Sequence, residues 1–241
     1  MKLAILSDIH GNLEALEAVL KDVDSSGVDG VVCLGDFVGY GASPNECLAR
    51  LRPLLEAAVL GNHDAAALGR VRLGGFQSDA ATTARWTAEH LTPENREWLG
   101  NLPYSIEWHG HRLVHATPSE PEEWHYVLSV ADAEYELGAF RERLGFIGHS
   151  HVAGSFETDG AHVSYVRGRT LQLRSGYRYL INVGSVGQPR DGDARAAWLC
   201  FDDERDTLVH RRVDYDVEAA GTRIRDAGLP PFLAERLRWG E

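Results

Sequence analysis

Five of the chain's eleven histidines fall in short motifs: Asp8-Ile9-His10, Gly61-Asn62-His63-Asp64, Val114-His115 and Gly148-His149-Ser150-His151. Each motif directly follows a short apolar run, an arrangement that gathers polar side chains at strand ends. With Gly35-Asp36 added, the chain offers two carboxylates, one side-chain amide and four imidazoles besides His63. That donor set suffices for two divalent cations sharing one bridging aspartate. The chemistry expected of such a centre is two-metal attack on a phosphate ester.

The elements needed to position these residues are legible in the apolar spacing. Lys2 to Ser7 reads as a strand ending at Asp8, and Leu13, Leu16, Val19 and Leu20 repeat at helical spacing just after Gly11-Asn12. Val28 to Leu34 predicts a second strand ending at Gly35-Asp36. Ser43-Pro44-Asn45-Glu46 reads as a helix start, with an N-cap serine, proline at the first position and glutamate three residues after the cap. Ala57 to Leu60 predicts a third strand before the Asn62 motif. Strands alternating with helices indicate βαβ units, whose ligands collect beyond the carboxyl ends of the strands.

From Ala65 to Pro103 the period becomes helical, with Trp86, Leu91 and Trp98 as anchors and Thr92-Pro93 as a restart. This stretch reads as an insertion over or beside the site. Arg112 to His115 and Leu144 to Ile147 return to strand character, separated by a helix over Ala131 to Arg143. Later runs at His162–Val166, Tyr179–Val183, Ala196–Phe201 and Thr207–Val213 predict a second sheet, and helices over Val217–Arg225 and Phe232–Arg238 close the chain. A single domain over 1–241 is expected, since 241 residues suit one sizeable α/β core better than two.

The composition narrows the class. The chain is 44% hydrophobic and 25% charged, which is ordinary for a globular protein. No secretory leader and no apolar span of membrane length are visible, and Cys33, Cys47 and Cys200 show no redox or metal spacing. Reduced core thiols in a cytoplasmic protein are the expectation. A net charge of -12 disfavours long nucleic acid as a partner and leaves small phosphorylated substrates, possible nucleotides among them, because two cations would make the cleft locally positive.

Taken in order, Asp8-x-His10, Gly35-Asp36, Gly61-Asn62-His63-Asp64, His115 and Gly148-His149-Ser150-His151 resemble the signature of the calcineurin-like metallophosphoesterases, over nearly the whole chain. Within that family the chain is similar to the compact bacterial and archaeal subgroup that includes relatives of diadenosine polyphosphate hydrolases and small phosphodiesterases. The resemblance implies an α/β fold, a four-layer αββα metallophosphoesterase sandwich with a small helical insertion. It also implies one metal held by Asp8, His10, Asp36 and His151 and a second held by Asp36, Asn62, His115 and His149, with Asp36 bridging. A water between the two metals would be deprotonated near neutral pH and attack phosphorus in line. His63 would stabilise the transition state or protonate the leaving oxygen, oriented by Asp64. Without a thiolate among the ligands, manganese is the first expectation, with iron, zinc, cobalt or nickel acceptable.

Two further segments bear on substrate. In Gly35-Asp36-Phe37-Val38-Gly39-Tyr40-Gly41, Tyr40 either meets substrate or fills a gap. In Asn182-Val183-Gly184-Ser185-Val186-Gly187-Gln188-Pro189-Arg190, Arg190 either meets phosphate oxygens or pairs with Asp191 or another acid. Trp124, His125 and Tyr126 either hold a base or anchor the insertion. The other histidines, at 90, 109, 111, 125, 162 and 210, read as surface or loop residues. The leading expectation is a dinuclear phosphoesterase favouring phosphodiester or nucleotide-type substrates, with a phosphomonoesterase or protein phosphatase as alternative. A non-catalytic scaffold of the same fold should have lost ligands or His63, and every position here is filled.

Overall fold

In the computed structural model, which describes residues 1–75 and 77–241, the chain begins β1 (Lys2–Leu6), α1 (Leu13–Ser25), β2 (Gly30–Cys33), α2 (Pro44–Leu51) and β3 (Leu55–Ala58). It continues through α3 (Asn62–Ala67), α4 (Ser78–His90), α5 (Pro93–Gly100), β4 (Ser105–Trp108), β5 (His111–Val114), α6 (Val130–Leu137) and β6 (Leu144–Ile147). The remainder is β7 (Gly154–Thr158), β8 (Val163–Val166), β9 (Thr170–Gln172), β10 (Arg178–Asn182), β11 (Ala196–Asp202), β12 (Thr207–Val213), α7 (Val217–Asp226) and α8 (Phe232–Glu235).

Two six-stranded sheets form, ordered β3-β2-β1-β11-β12-β9 and β4-β5-β6-β10-β7-β8. Strand β1 pairs in parallel with β2, and β2 with β3, while β5, β6 and β10 are parallel neighbours in the other sheet. Side-chain alternation assigns the layers. Leu3, Ile5 and Val32 meet Phe146 and Ile181 in the core between the sheets. Ala4, Leu6 and Cys33 face the opposite way and pack with Leu16 and Val19 of α1 and Leu48 of α2. On the far side of the second sheet, Ile147 and Leu180 pack with Ala133 and Leu137 of α6. The result is the αββα sandwich. Because both faces of the central parallel strands are covered, residues 3–6, 31–33 and 144–147 carry no polar side chain, and each fully buried leucine or isoleucine contributes roughly 1.5–3 kcal/mol.

Several expectations need correction. The late strands do not make a sheet of their own: β9, β11 and β12 extend the first sheet, and β7, β8 and β10 extend the second. The helix α6 ends at Leu137 rather than Arg143, with its backbone turning at Gly138. Ser43 occupies the N-cap position of α2, but its side chain makes no capping bond. Thr92 does cap α5, accepting from the Asn95 amide. The three cysteines are free and buried. No helix among the described residues is long and apolar enough to cross a membrane.

His111 and His210, expected on the surface, are buried in β5 and β12. Burial, and then Arg212, push the His210 pKa down to about 4. A histidine whose folded pKa lies below its unfolded value of about 6.5 favours proton uptake by the unfolded chain, so stability is lost as pH falls from about 6.5 towards 4. His210→Gln is expected to reduce the dependence of stability on pH in that window by about one proton, roughly 1.4 kcal/mol per pH unit. Chemical denaturation across pH 4 to 6.5 measures it, and an unchanged slope would place the proton elsewhere.

Candidate metal centre

All the motifs converge at the carboxyl ends of their strands. Asp8 and His10 follow β1, Asp36 follows β2, the Asn62 motif opens α3 after β3, His115 follows β5, and His149 and His151 follow β6. The turns that aim these side chains are sharply bent. Among the described residues nine non-glycine positions have positive φ, and seven of them are Asp8, His10, Asp36, Tyr40, Trp124, His149 and His151. Left-handed backbone is costly for these residue types, and its concentration at one place marks a site held by its surroundings. Close approach explains the glycines beside them. A Cβ on Gly148 would stand 2.1 Å from Ser7 Oγ and 2.5 Å from Asp8 Oδ2. Gly148→Ala is therefore expected to displace Asp8 and lower metal affinity about tenfold or more with little change in circular dichroism; metal titration followed by calorimetry would read it.

The two carboxylates share one design. Asp8 Oδ2 accepts the His149 amide at 3.0 Å, and Asp36 Oδ1 accepts the His63 amide at 2.8 Å. Their other oxygens, Asp8 Oδ1 and Asp36 Oδ2, are buried with no hydrogen-bond donor among the described residues. Asp8 Oδ1 lies 3.1 Å from His151 Nε2, 3.6 Å from His10 Nε2 and 3.9 Å from His115 Nε2. Asp36 Oδ2 lies 3.3 Å from His115 Nε2 and 3.6 Å from His10 Nε2.

In their neutral forms the imidazoles do not supply the missing donors. Nδ1 of His10 faces the Val38 carbonyl at 3.1 Å, that of His115 the Leu34 carbonyl at 2.8 Å and that of His151 the Gln188 carbonyl at 2.6 Å. A carbonyl can only accept, so the neutral tautomer carries its proton on Nδ1 and presents a lone pair at Nε2. His149 is reversed: its Nε2 faces the Trp124 carbonyl at 2.8 Å, which assigns the lone pair to Nδ1. Consequently His10 Nε2 and His151 Nε2 meet lone pair to lone pair at 3.0 Å, and His115 Nε2 meets Asn62 Oδ1 at 3.1 Å. A buried cluster of acceptors without donors is unfavourable unless cations sit among them. Two sets of ligand atoms are compact enough to grip an ion: Asp8, His10 and His151, and Asp8, Asp36 and His115. The donor set thus fits divalent metal.

The electrostatics agree. Burial opposes ionisation of Asp8 and Asp36, yet the imidazoles around them, His151 for Asp8 and His115 for Asp36, hold both well below the usual carboxylate range. Burial pushes His149 down to about 4, helped by His115, and His151 down to about 3, helped by Arg190. His115 is the exception: against the cost of burial, the Asp36 and Asp8 carboxylates raise it to about 9. The field that draws a proton to this ring is the field that would draw a cation.

His63 is buried beside this cluster, its ring 5.0 Å from the His10 ring and 4.4 Å from the Tyr40 ring, centroid to centroid. Burial is the main force lowering its pKa, with Asp36 opposing. Asp64 holds the site through the backbone: its carboxylate accepts the amides of Asp36 at 2.8 Å, Gly61 at 3.1 Å and Val38 at 3.2 Å. Both oxygens are engaged by this loop, so the orienting effect expected of Asp64 is exerted on the segment that carries Asp36. Burial and the Asp36 charge raise the Asp64 pKa to about 8, against the pull of the Gly61 and Val38 amides.

The cluster opens into a cleft of about 940 Å³. Asn62, His63 and His149 line its floor side, and Tyr40, Trp124, Tyr126 and Arg190 also border it, together with residues 71, 72, 75, 77 and 80 of the expected insertion. Arg190 does not pair with Asp191. Its guanidinium donates to Gln188 Oε1 at 2.7 Å and lies 5.5 Å from the Tyr40 ring, while Asp191 takes Arg212 instead. Tyr126 is half-exposed and stacks on the His149 ring at 4.3 Å. Trp124 borders the cleft and packs on Tyr104, just past the expected insertion, with ring centroids 5.7 Å apart. His125 turns away to Glu120.

Sequence reasoning missed contributors of two kinds. Main-chain carbonyls of Leu34, Val38, Trp124 and Gln188 orient the imidazoles, and no side-chain type announces a carbonyl. Arg236, in the turn after α8, also borders the cleft, although no motif surrounds it.

Comparison with known proteins agrees with this geometry. The calcineurin-like phosphoesterase superfamily domain matches residues 1–204. An uncharacterised protein of Methanocaldococcus jannaschii is 40% identical over 99% of this chain and 98% of its own length. The crystal structure of a metallophosphoesterase from Sphaerobacter thermophilus is similar with a TM-score of 0.89 and 38% identity, covering 100% of this chain and 99% of that one. A hypothetical protein from Pyrococcus horikoshii shares the fold with a TM-score of 0.82 at 19% identity, over 100% of this chain and 98% of its own. The fold and the Asp/His cluster are those of a metal-dependent phosphoesterase. The chain belongs to the calcineurin-like phosphoesterase superfamily.

Proposed function

We propose that the chain is a dinuclear metal-dependent phosphodiesterase acting on small phosphodiester or nucleotide-type substrates. The observation that carries this reading is the convergence of Asp8 Oδ1, Asp36 Oδ2 and the Nε2 atoms of His10, His115 and His151 in two compact buried groups, with neither carboxylate oxygen hydrogen-bonded among the described residues. Asp8, His10, Asp36 and His151 would hold one cation, and Asp36, Asn62, His115 and His149 the other, with Asp36 shared. When bound, such cations supply positive charge for phosphoryl oxygens and make water nucleophilic near neutral pH, manganese being the first choice among oxygen- and nitrogen-liganded metals.

The chain's own residues supply the rest. The carbonyl-anchored imidazoles keep their lone pairs aimed inward, so nothing need reorganise as a phosphate enters. His63, at the mouth of the cluster, would stabilise developing charge or pass a proton to the leaving oxygen. Burial keeps its ring neutral in the free protein, and an anionic phosphate against it would favour its protonated form, so that the proton arrives with the substrate. The bordering aromatics and Arg190 support an organic ester larger than a bare phosphate.

The test is hydrolysis of bis(p-nitrophenyl) phosphate and p-nitrophenyl phosphate in parallel, by protein stripped of metal and resupplied with manganese, with Asp36→Ala as control. Diester turnover that vanishes in the control supports the proposal. Turnover of the monoester alone would replace it with a phosphomonoesterase, and silence on both with each of manganese, iron, zinc, cobalt and nickel would leave a scaffold.

A further inference from the structure

Arg190 and Arg236 reach the same cleft from different parts of the chain, the first from the loop after β10 and the second from the turn after α8. Both are half-buried, and neither has an aspartate or glutamate side chain within ion-pair distance among the described residues. Glu122 and Glu123 border the same cleft, yet neither is paired with these arginines among the described residues. Arg190 donates to Gln188 Oε1 and also reaches the Tyr40 hydroxyl, while Arg236 donates through Nε to the main-chain oxygen of Glu241 and its terminal N–H groups have no acceptor among the described residues. Arg236 feels the charge of Arg190: burial first, and Arg190 next, lower its pKa, with Tyr40, Glu241 and Asp79 opposing. Two like charges in a half-buried cleft, with no carboxylate side chain in direct contact with either among the described residues, favour an anion that joins them.

Their placement is enforced. Leu233 and Leu237 pack with Ile224 of α7 into a small core that also takes in Tyr40 and Ala42, so the C-terminal helices are seated on the loop that carries Asp36. Gly240 approaches so closely that a Cβ there would lie 2.7 Å from the Asp193 carbonyl carbon, and its own carbonyl accepts the Gly192 amide at 3.0 Å. Tyr40 sets the separation from the metal centre, its ring 4.7 Å from the His10 ring on one side and 5.5 Å from the Arg190 guanidinium on the other. One side chain's width is a span that a phosphate chain crosses.

We propose that Arg190 and Arg236 form a second anion subsite beside the metal centre, so that the favoured substrate carries two phosphates in series, the scissile one at the metals and its neighbour at the arginine pair. The proposal rests on the phosphodiesterase reading and narrows it, from esters of a single phosphate to nucleotide esters with a pyrophosphate link. Each guanidinium offers paired N–H donors to phosphate oxygens, which an ammonium or amide cannot match.

Imidodiphosphate, whose P–N–P bridge resists hydrolysis, and orthophosphate are to be titrated calorimetrically into manganese-loaded protein freed of excess metal. Imidodiphosphate is expected to bind at least about tenfold tighter, and Arg236→Gln or Arg190→Gln to bring the ratio close to one. Arg238→Gln, which removes a neighbouring arginine paired with Glu218 at the surface, should leave the ratio as it is. Equal affinity for the two anions, or a ratio that survives Arg236→Gln, overturns the subsite. Hydrolysis of the p-nitrophenyl esters of ADP and AMP separates this from the underlying reading. A preference for the ADP ester that falls about tenfold in Arg236→Gln supports the subsite, and equal turnover of both esters overturns it while keeping the phosphodiesterase. Silence on both, with the imidodiphosphate ratio intact, removes the hydrolytic reading and leaves the anion subsite standing.

Discussion

Asp36→Ala is expected to abolish hydrolysis, a loss of about a thousandfold or more, and with it stoichiometric metal binding, because this carboxylate is assigned to both cations at once. The variant also leaves the His63 amide without its acceptor and removes the charge that raises His115 to about 9. A fold defect would complicate that result, so Asp36→Asn is the informative partner. Asparagine keeps an oxygen for the His63 amide and, by removing the charge that draws a proton to His115, turns its NH₂ towards a ring that can then be neutral. Without metal, Asp36→Asn is expected to lose some stability relative to the native chain, since it removes the charge that the surrounding imidazoles favour in the folded state, and to gain none when manganese is added. Metal content by plasma spectrometry, together with thermal melts with and without chelator, decides it. Full metal content in Asp36→Asn would show that the shared ligand is Asp8, the aspartate common to both compact ligand groups.

Which parts of this site could be read before any coordinates follows from where the information lies. Asp8, Asp36, Asn62, His115 and His149 each end a strand, and a strand followed by a polar turn is a local pattern that survives in sequence. Their convergence was legible because parallel strands put such turns on one edge. The pairing of the late strands was not local: β9, only Thr170–Gln172, joins the first sheet through β12, and β7, Gly154–Thr158, carries Phe156 as its one large apolar side chain. The expected length of α6 exceeded the observed one because Phe140 continues the apolar period of Ala133 and Leu137 past Gly138, although it packs beyond the helix against the same cluster. Arg236 carried no signal at all, since what brings it to the cleft is the packing of Leu233 and Leu237 on a loop nearly two hundred residues earlier in the chain.

His63→Gln is expected to keep its metal and lose most turnover, which separates it from every ligand variant. The side chain lies beside the cluster, against Tyr40 and His10, while its amide alone supports Asp36, and glutamine preserves that amide. Loss of a positioned proton donor costs about a hundredfold to ten-thousandfold in rate. The size of the loss should depend on the leaving group. Nitrophenolate departs as a stable anion and needs little help, whereas an alkoxide such as a ribose hydroxyl must be protonated as it leaves. If His63 donates that proton, the variant loses far more on an alkyl or nucleoside ester than on a nitrophenyl ester. An equal loss on both would mean that the ring acts by stabilising charge on the phosphoryl oxygens. Metal loss as severe as that of Asp36→Ala would instead place His63 among the ligands, and the division of labour proposed for this cluster would have to be redrawn.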